Sequence, residues 1–256
     1  MNMRYTLEQL QQRHSVRKYA DRQVPADILA ILEREVAEIN AAYSGIRFSL
    51  VIDNGEAFGS FKKTYGQFKG VKNYLVGVVD TLVADSEEIA GFAGEQFCML
   101  AVVNGLGTCF VGATYDPAKV QVNLSATEKI SFLIPFGYED ENGPGFVGKL
   151  VQRVAHANSL KPEQFYDPGL AFFNLQEAMG RMSDLFTGLQ ALECAPSGMN
   201  KQPARVWIGE DTFLHMGLSF KGDYTSNDLG IAKFNFQAVV PGKWEWGVGV
   251  AFQPGE

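Results

Sequence analysis

Cysteine is scarce: Cys98, Cys109 and Cys194 are the three that 256 residues contain. An odd, scattered set excludes a disulfide framework and fits a reducing compartment. Positive charge is short as well, 22 Lys and Arg against 29 Asp and Glu giving a formal net charge of -7. The broad basic footprint that nucleic acid or an anionic membrane would need is therefore missing, and neither partner is expected. Long apolar runs are rare. The uncharged stretch QFCMLAVVNGLGTCFVGATY, residues 96–115, is broken by Asn104, Gly105 and Gly107. That suits a buried helix ending at a glycine and then a buried strand, CFVGA, better than a membrane span. The opening MNMRYTLEQLQQRHS is polar and has no apolar segment of the signal-peptide kind, so a cytoplasmic protein is expected.

Catalytic signatures are missing too. There is no H-E-x-x-H, no C-x-x-C and no G-x-S-x-G, and His14, His156 and His215 are scattered. No metal site and no nucleophilic triad is expected. GLGTCFVGA lacks the G-x-G-x-x-G spacing and follows a helix where the dinucleotide fingerprint must follow a strand.

What is present is a chain of 46% apolar composition, able to bury a substantial core. A helix is predicted over 5–12. A second follows in VPADILAILEREVAEIN, with Pro25 at its start and Ile28, Leu29, Leu32, Val36 and Ile39 at helical spacing. Strands are predicted at 46–53 and 73–80, and the glycine- and aromatic-rich stretch between them reads as irregular or as a lid carrying Phe58, Phe61, Tyr65 and Phe68. Then come a helix over 87–104, the strand CFVGA, a helix DPAKVQVNL, a strand SFLIPFGY, a connector over 151–168, helices at 169–179 and 182–193, and a strand ARVWIGE. Alternating strands and helices imply an α/β or α+β layer.

The second half replays the first. LEREVAEINAAYSGIRFSLVID (32–53) lies over LFTGLQALECAPSGMNKQPARVWIGE (185–210), a helix, a Ser-Gly turn and a strand in each. EEIAGFAGEQFCMLAVVNGLGTCFVGA lies over SNDLGIAKFNFQAVVPGKWEWGVGV, a long helix, a glycine break and a strand. Such a repeat predicts a covalent pseudo-dimer in which any site between the halves was originally duplicated.

Two clusters distinguish the halves. RHSVRKY (13–19) places Arg13, Ser15 and Arg17 at alternate positions, so an extended backbone puts two guanidinium forks and a hydroxyl on one face, a phosphate clamp or a solvated basic turn. APSGMNKQP (195–203) offers Ser197, Asn200 and Gln202 between Pro196 and Pro203, able to read a polar ring edge or simply to end a helix. Gly112 and Ala113 would allow close backbone approach of a flat ligand, or ordinary packing at a strand end.

R-H-S-V-R-K-Y followed by V-P, N-G-L-G-T-C-F-V-G after a helix and A-P-S-G-M-N-K-Q-P before a strand together resemble the FMN-dependent nitroreductase family, in its fused, tandem-half subgroup. The resemblance implies an α+β nitroreductase-like fold of two related halves, 1–150 and a degenerate 169–256 joined by 151–168. Each half would be a mainly antiparallel sheet with packed helices, the two forming an intrachain pseudo-dimer. It implies that Arg13 and Ser15 hold the FMN phosphate with His14 beside it, and that Arg17 approaches the N1/O2 side of the flavin. Pro196, Ser197, Asn200 and Gln202 would come from the other half, and the backbone N–H groups of Gly112 and Ala113 would meet N5 and O4. FGYEDE carries Glu139 where the family has proline, leaving Lys149 or Arg153 as the basic complement to the phosphate. The opposite site lacks both elements, reading INAAYSGIRF near Tyr43, so one FMN per chain and a monomer are expected. The implied activity is ping-pong hydride transfer from NAD(P)H through flavin N5 to a nitroaromatic, quinone or similar small acceptor. Hydride moves directly at the flavin, so no catalytic side chain is assigned. Dehalogenation, ene-type reduction or flavin binding without catalysis are the alternatives on the same scaffold.

Overall fold

Apolar alternation decides the first sheet. In β1 (Ile46–Val51) Ile46, Phe48 and Leu50 turn to one core and Val51 to the opposite face, whereas β2 (Asn73–Asp80), apolar almost throughout, is buried on both faces as an interior strand should be. The computed structural model, which describes residues 5–141, 143 and 159–255, completes this sheet with β3 (Gly107–Thr108) and β4 (Glu128–Gly137) in the order β1-β2-β4-β3, every pairing antiparallel. The second sheet holds β5 (Ala204–Ile208), β6 (Leu214–Leu218), β7 (Gly242–Trp244) and β8 (Val250–Pro254) in the order β5-β6-β8-β7, again antiparallel. First, second, fourth, third is the order in both. The architecture is the expected α+β one, two antiparallel sheets with packed helices.

The helices repeat the same plan. After α1 (Leu7–Gln12), α2 (Ala26–Ala42) leads into β1, and α4 (Ser86–Val103) lies between β2 and β3 beyond the single turn α3 (Phe61–Thr64). After α5 (Leu175–Arg181), α6 (Leu185–Cys194) leads toward β5, and α7 (Thr225–Val239) lies between β6 and β7. The apolar stripe of α2 buries Leu32, Val36 and Ile39 in the core of the first sheet. Leu185, Leu189 and Leu192 of α6 do the same for the second.

α4 and α7 cross at two glycines. A Cβ on Gly91 would stand 2.1 Å from the carbonyl oxygen of Asn227, and one on Gly230 1.8 Å from that of Glu88. Each glycine meets the residue three before the other, the reciprocity of an isologous contact. Polar groups bind the crossing. Asn227 Nδ2 donates to Glu87 O (2.7 Å) and Ser131 Oγ (2.9 Å). The fully buried Lys233 ammonium donates to Glu88 Oε1 (2.5 Å) and to the carbonyls of Glu245 and Gly247 (both 2.8 Å). Trp246 packs edge-on to Tyr43 and Phe92, and Phe92 to Phe234.

Three elements differ from expectation. CFVGA is not a continuous strand: Val111 alone pairs, exchanging both backbone hydrogen bonds with Leu133 of β4 (2.8 and 2.9 Å), and the strand lies at Gly107–Thr108. Gly107, with no Cβ, admits Val16 so closely that a Cβ would lie 2.4 Å from its side chain, and Thr108 takes Phe136 as partner on one side and Ser15 on the other. DPAKVQVNL forms one 3₁₀ turn, Pro117–Lys119, capped by Asp116, because Val120, Val122 and Leu124 recur at period two rather than at helical spacing. The helix expected from 169 begins at Leu175, where Asn174 and Glu177 form a reciprocal capping box. Of the four lid aromatics, Phe58 and Phe68 are buried while Phe61 and Tyr65 are exposed.

Candidate functional site

α1 ends at Arg13, and the chain then runs extended along β3. Val16 N–H donates to Thr108 O (2.9 Å), and Lys69 N–H to Arg17 O (3.0 Å). The Tyr19 hydroxyl lies within hydrogen-bond distance of the carbonyls of Val16 (2.8 Å) and Pro135 (3.0 Å), and its burial pushes the phenol well above its ordinary pKa. RHSVRKY is therefore a fixed strand-like edge, not a solvated turn.

Its side chains divide. Arg13 turns inward, Nε 3.4 Å from Oε1 of Glu95 on α4, with side chains 7% and 0% exposed. That approach makes no hydrogen bond. Arg13 Nε and Nη1, Glu95 Oε2 and Thr108 Oγ1 are buried without partners, so donors stand in reserve where Arg13 and Ser15 pass β3. Burial raises the Glu95 carboxyl, while Arg13 and the Asn235 amide pull it back. His14 is engaged, Nε2 lying 2.8 Å from Glu139 Oε2 and Nδ1 3.1 Å from Gln12 O. Arg17 is half-buried and holds Ser15 O at 3.5 Å, the limit of a hydrogen bond.

From the second half, α6 ends at Cys194 and the chain turns through APSGMNKQP with Met199, Asn200 and Gln202 at positive φ (54°, 54° and 45°). Gln202 N–H donates to Ser197 Oγ (2.8 Å), and both Asp228 carboxylate oxygens accept from Gly198 N–H (3.0 and 3.2 Å). The Gln202 side chain is buried within the fold. Its Oε1 accepts from Leu160 N–H (2.7 Å) and its Nε2 donates to Glu193 O (3.4 Å), so its amide closes the turn rather than facing outward. Asn200 Nδ2 donates to Ser159 Oγ (3.0 Å). Pro196 and Ser197 are half-buried.

The helices that lead into the two clusters pack together, Leu10 of α1 sharing an apolar cluster with Ala191 and Cys194 of α6. Burial pushes the Cys194 thiol up to about 11, with Glu193 adding to the rise and the Arg13 guanidinium opposing it, which places Arg13 within electrostatic reach of the residue before the turn. A single side chain links Gly112 of the first half to the APSGMNKQP turn of the second. The Tyr224 hydroxyl donates to Gly112 O (3.0 Å). A Cβ on Gly112 would lie 2.5 Å from the Tyr224 ring, and one on Gly198 4.0 Å from Tyr224 Cβ. Ala113, next to Gly112, is exposed. Lys149 and Arg153 lie outside the described residues.

Two cavities are relevant. One of about 10 Å³ lies under Pro196, Ser197, Gln202 and Asp228, room for one water at most. Another of about 400 Å³ lies at the start of α4, lined by Asp85, Ser86, Glu87, Glu88, Lys129, Ser226 and Val248 among others. Among the described residues no cluster of His, Cys, Asp and Glu could hold a metal, and no helix is long and apolar enough to cross a membrane.

An anionic cofactor can be tested against this arrangement. The orphaned donors of Arg13 are the groups here that suit a phosphate, with the buried Glu95 carboxylate as their present counter-charge. The backbone face of Gly112 is covered by a flat ring of the chain itself, that of Tyr224. Sequence reasoning missed Tyr224 and Glu95, and it named Glu139 without foreseeing its contact with His14. The repeat register holds the signal for Tyr224, which stands six positions before Gly230 as Asp85 does before Gly91.

Comparison with known proteins gives a family match, "Putative TM nitroreductase", over residues 5–240. A "putative nitroreductase" from Thermotoga maritima has a similar structure, with TM-score 0.58 and 17% identity over 93% of this chain and 83% of that one. An FMN-dependent nitroreductase from Clostridium difficile aligns with TM-score 0.43 and 22% identity over 54% of this chain and 90% of its own. A nitroreductase family protein from Clostridium novyi gives TM-score 0.45 and 14% identity over 54% and 87%. No curated protein matches the chain.

Proposed function

The chain belongs to the TM nitroreductase family, and from that membership we propose that it is an FMN-dependent oxidoreductase which takes reducing equivalents from NADH or NADPH and passes them to a nitroaromatic, quinone or similar small acceptor in alternating half-reactions. The observation that carries this reading is the meeting of Gly112 from one half with Gly198 from the other across the Tyr224 side chain.

The halves are read as 1–150 and 169–256 of an intrachain pseudo-dimer joined by 151–168, so that a single chain supplies both walls of its site. Arg13 and Ser15 would hold the phosphate, with Lys149 or Arg153 as basic complement. His14 would stand at its edge, its ring held by Glu139. Pro196, Ser197 and Asn200 would line the sugar-like chain, and Gln202 would keep that turn in shape. The Gly112 and Ala113 amides would orient the ring. Arg17, half-buried and weakly held, is free to set its cation against the ring edge that gains negative charge on reduction. When bound, FMN supplies both hydride acceptance and hydride donation, so the protein needs no acid–base pair of its own.

One FMN per chain and a monomer follow from the same reading. At the position repeat-related to Tyr224 the cavity wall carries Asp85, with Glu87 paired to Lys129 and Glu88 to Lys233, and the second half holds no Arg-x-Ser-x-Arg stretch to grip a phosphate. The test is spectroscopic. Purified protein should carry or take up one FMN per chain, lose the yellow band with NADH or NADPH and regain it with a nitroaromatic or quinone. Protein that stays colourless after reconstitution with FMN would overturn the reading, and yellow protein inert to both nicotinamides would reduce it to flavin binding without catalysis.

A further inference from the structure

We propose that Tyr224 is the gate of this cleft, a side chain that occupies the flat-ring slot on Gly112 and must yield it to a planar ligand. The inference rests on the flavin reading of the site and adds the residue that controls entry to it.

The chain contains its own control. Tyr224 and Asp85 both precede the long crossing helices, both adopt left-handed backbone (φ 66° and 58°), and both stand six positions before the crossing glycine. A non-glycine residue in that region is strained, and most of all a bulky one. Because both positions share the strain, it belongs to the repeated backbone and not to the side chain. What differs is the occupant. At Asp85 the space beside the helix start is the cavity of about 400 Å³, whereas at Tyr224 the side chain leaves from beside Gly198 and lays its ring on the Gly112 backbone.

The hold is light. One hydrogen bond, Tyr224 Oη to Gly112 O at 3.0 Å, ties the ring down, and the residue is still 41% exposed. An exposed neutral hydrogen bond of this kind contributes about 0.5–1.5 kcal/mol net, so rotation of the side chain outward is open to any ligand that makes more contact with Gly112 than the phenol does. The ring is flat and presents one polar atom to a backbone carbonyl.

The experiment is FMN titration of the full-length chain, followed by flavin fluorescence, in wild type, Tyr224→Phe and Tyr224→Ala. Thermal melts would verify that the variants fold. If the gate reduces the competent population, opening it raises apparent affinity by about tenfold or more for Tyr224→Ala and a few-fold for Tyr224→Phe, which keeps the ring and loses the tether. Equal or weaker binding by both variants overturns the gate while leaving the flavin reading intact. If Tyr224→Ala fails to fold, Tyr224→Phe decides alone: a rise in affinity supports the gate and an unchanged affinity overturns it. Binding by none of the three proteins overturns the flavin reading and the gate with it.

Discussion

Gly91 and Gly230 stand where α4 and α7 cross, each against the backbone of the other helix, a Cβ on Gly230 falling 1.8 Å from Glu88 O and one on Gly91 2.1 Å from Asn227 O. No rotamer relieves a clash between Cβ and backbone, so Gly91→Ala or Gly230→Ala must push the helices apart. Either is expected to cost at least about 3 kcal/mol, the upper range for overpacked cores, read as a lowered denaturation midpoint. Gly180, on α5 with open space around it, is the control. Alanine there is expected to be neutral or to stabilise by about 0.5–1 kcal/mol.

The same crossing holds a buried ion pair. Burial raises the Glu88 carboxyl and lowers the Lys233 ammonium, each opposed by its partner. Removing one member leaves the other charged and dry, so Glu88→Ala should cost about 3–5 kcal/mol. Replacing both, as Glu88→Leu with Lys233→Met, should recover most of that loss in the same denaturation assay. A double variant no more stable than the single one would mean that the carbonyl contacts to Glu245 and Gly247, not the pair, hold this junction.

Periodicity made much of this fold legible. β2 spans 73–80 as expected, and α2 and α4 lie within two residues of expectation, because long apolar patterns are decided locally. β6, LHMGL, carries a glycine and a histidine among its five residues and gave no such pattern. At the site, charge and turn chemistry located RHSVRKY and APSGMNKQP but did not reveal which groups the fold consumes. His14 meets Glu139, Arg13 meets Glu95 and Gln202 meets Leu160 across distances in sequence that no local pattern encodes. Tyr224 is the exception, since its register with Asp85 was readable and only its occupancy of Gly112 required coordinates.

Arg13 and Arg17 should separate when mutated. Arg17 makes one long hydrogen bond within the protein, so Arg17→Ala should weaken FMN binding by about tenfold or more through a lost charged contact and leave the melting temperature nearly unchanged. Arg13→Ala removes a phosphate donor and also leaves Glu95 buried without its cation. It should lose flavin and destabilise by about 3–5 kcal/mol. Adding Glu95→Gln to Arg13→Ala should restore stability and not flavin. Tyr43, packed on Phe92 and Trp246, should bind FMN normally as Tyr43→Ala while losing core stability.

Asp228 gives the fold a pH dependence. Burial raises its carboxyl from 3.8 to about 7, the Gly198 N–H and Lys201 drawing it partly back. Between those two values the folded chain keeps a proton that the unfolded chain has released. Stability therefore falls as pH rises from about 4 toward 7 and levels off above, where the folded state carries a buried carboxylate. Asp228→Asn keeps an oxygen to accept from Gly198 N–H and has no charge to bury. It should flatten this part of the curve and stabilise the protein at pH 8 by on the order of 2–4 kcal/mol, one pKa unit being about 1.4 kcal/mol. Chemical denaturation at pH 5 and pH 8 decides the matter. A slope unchanged in the variant would place the titration elsewhere in the molecule.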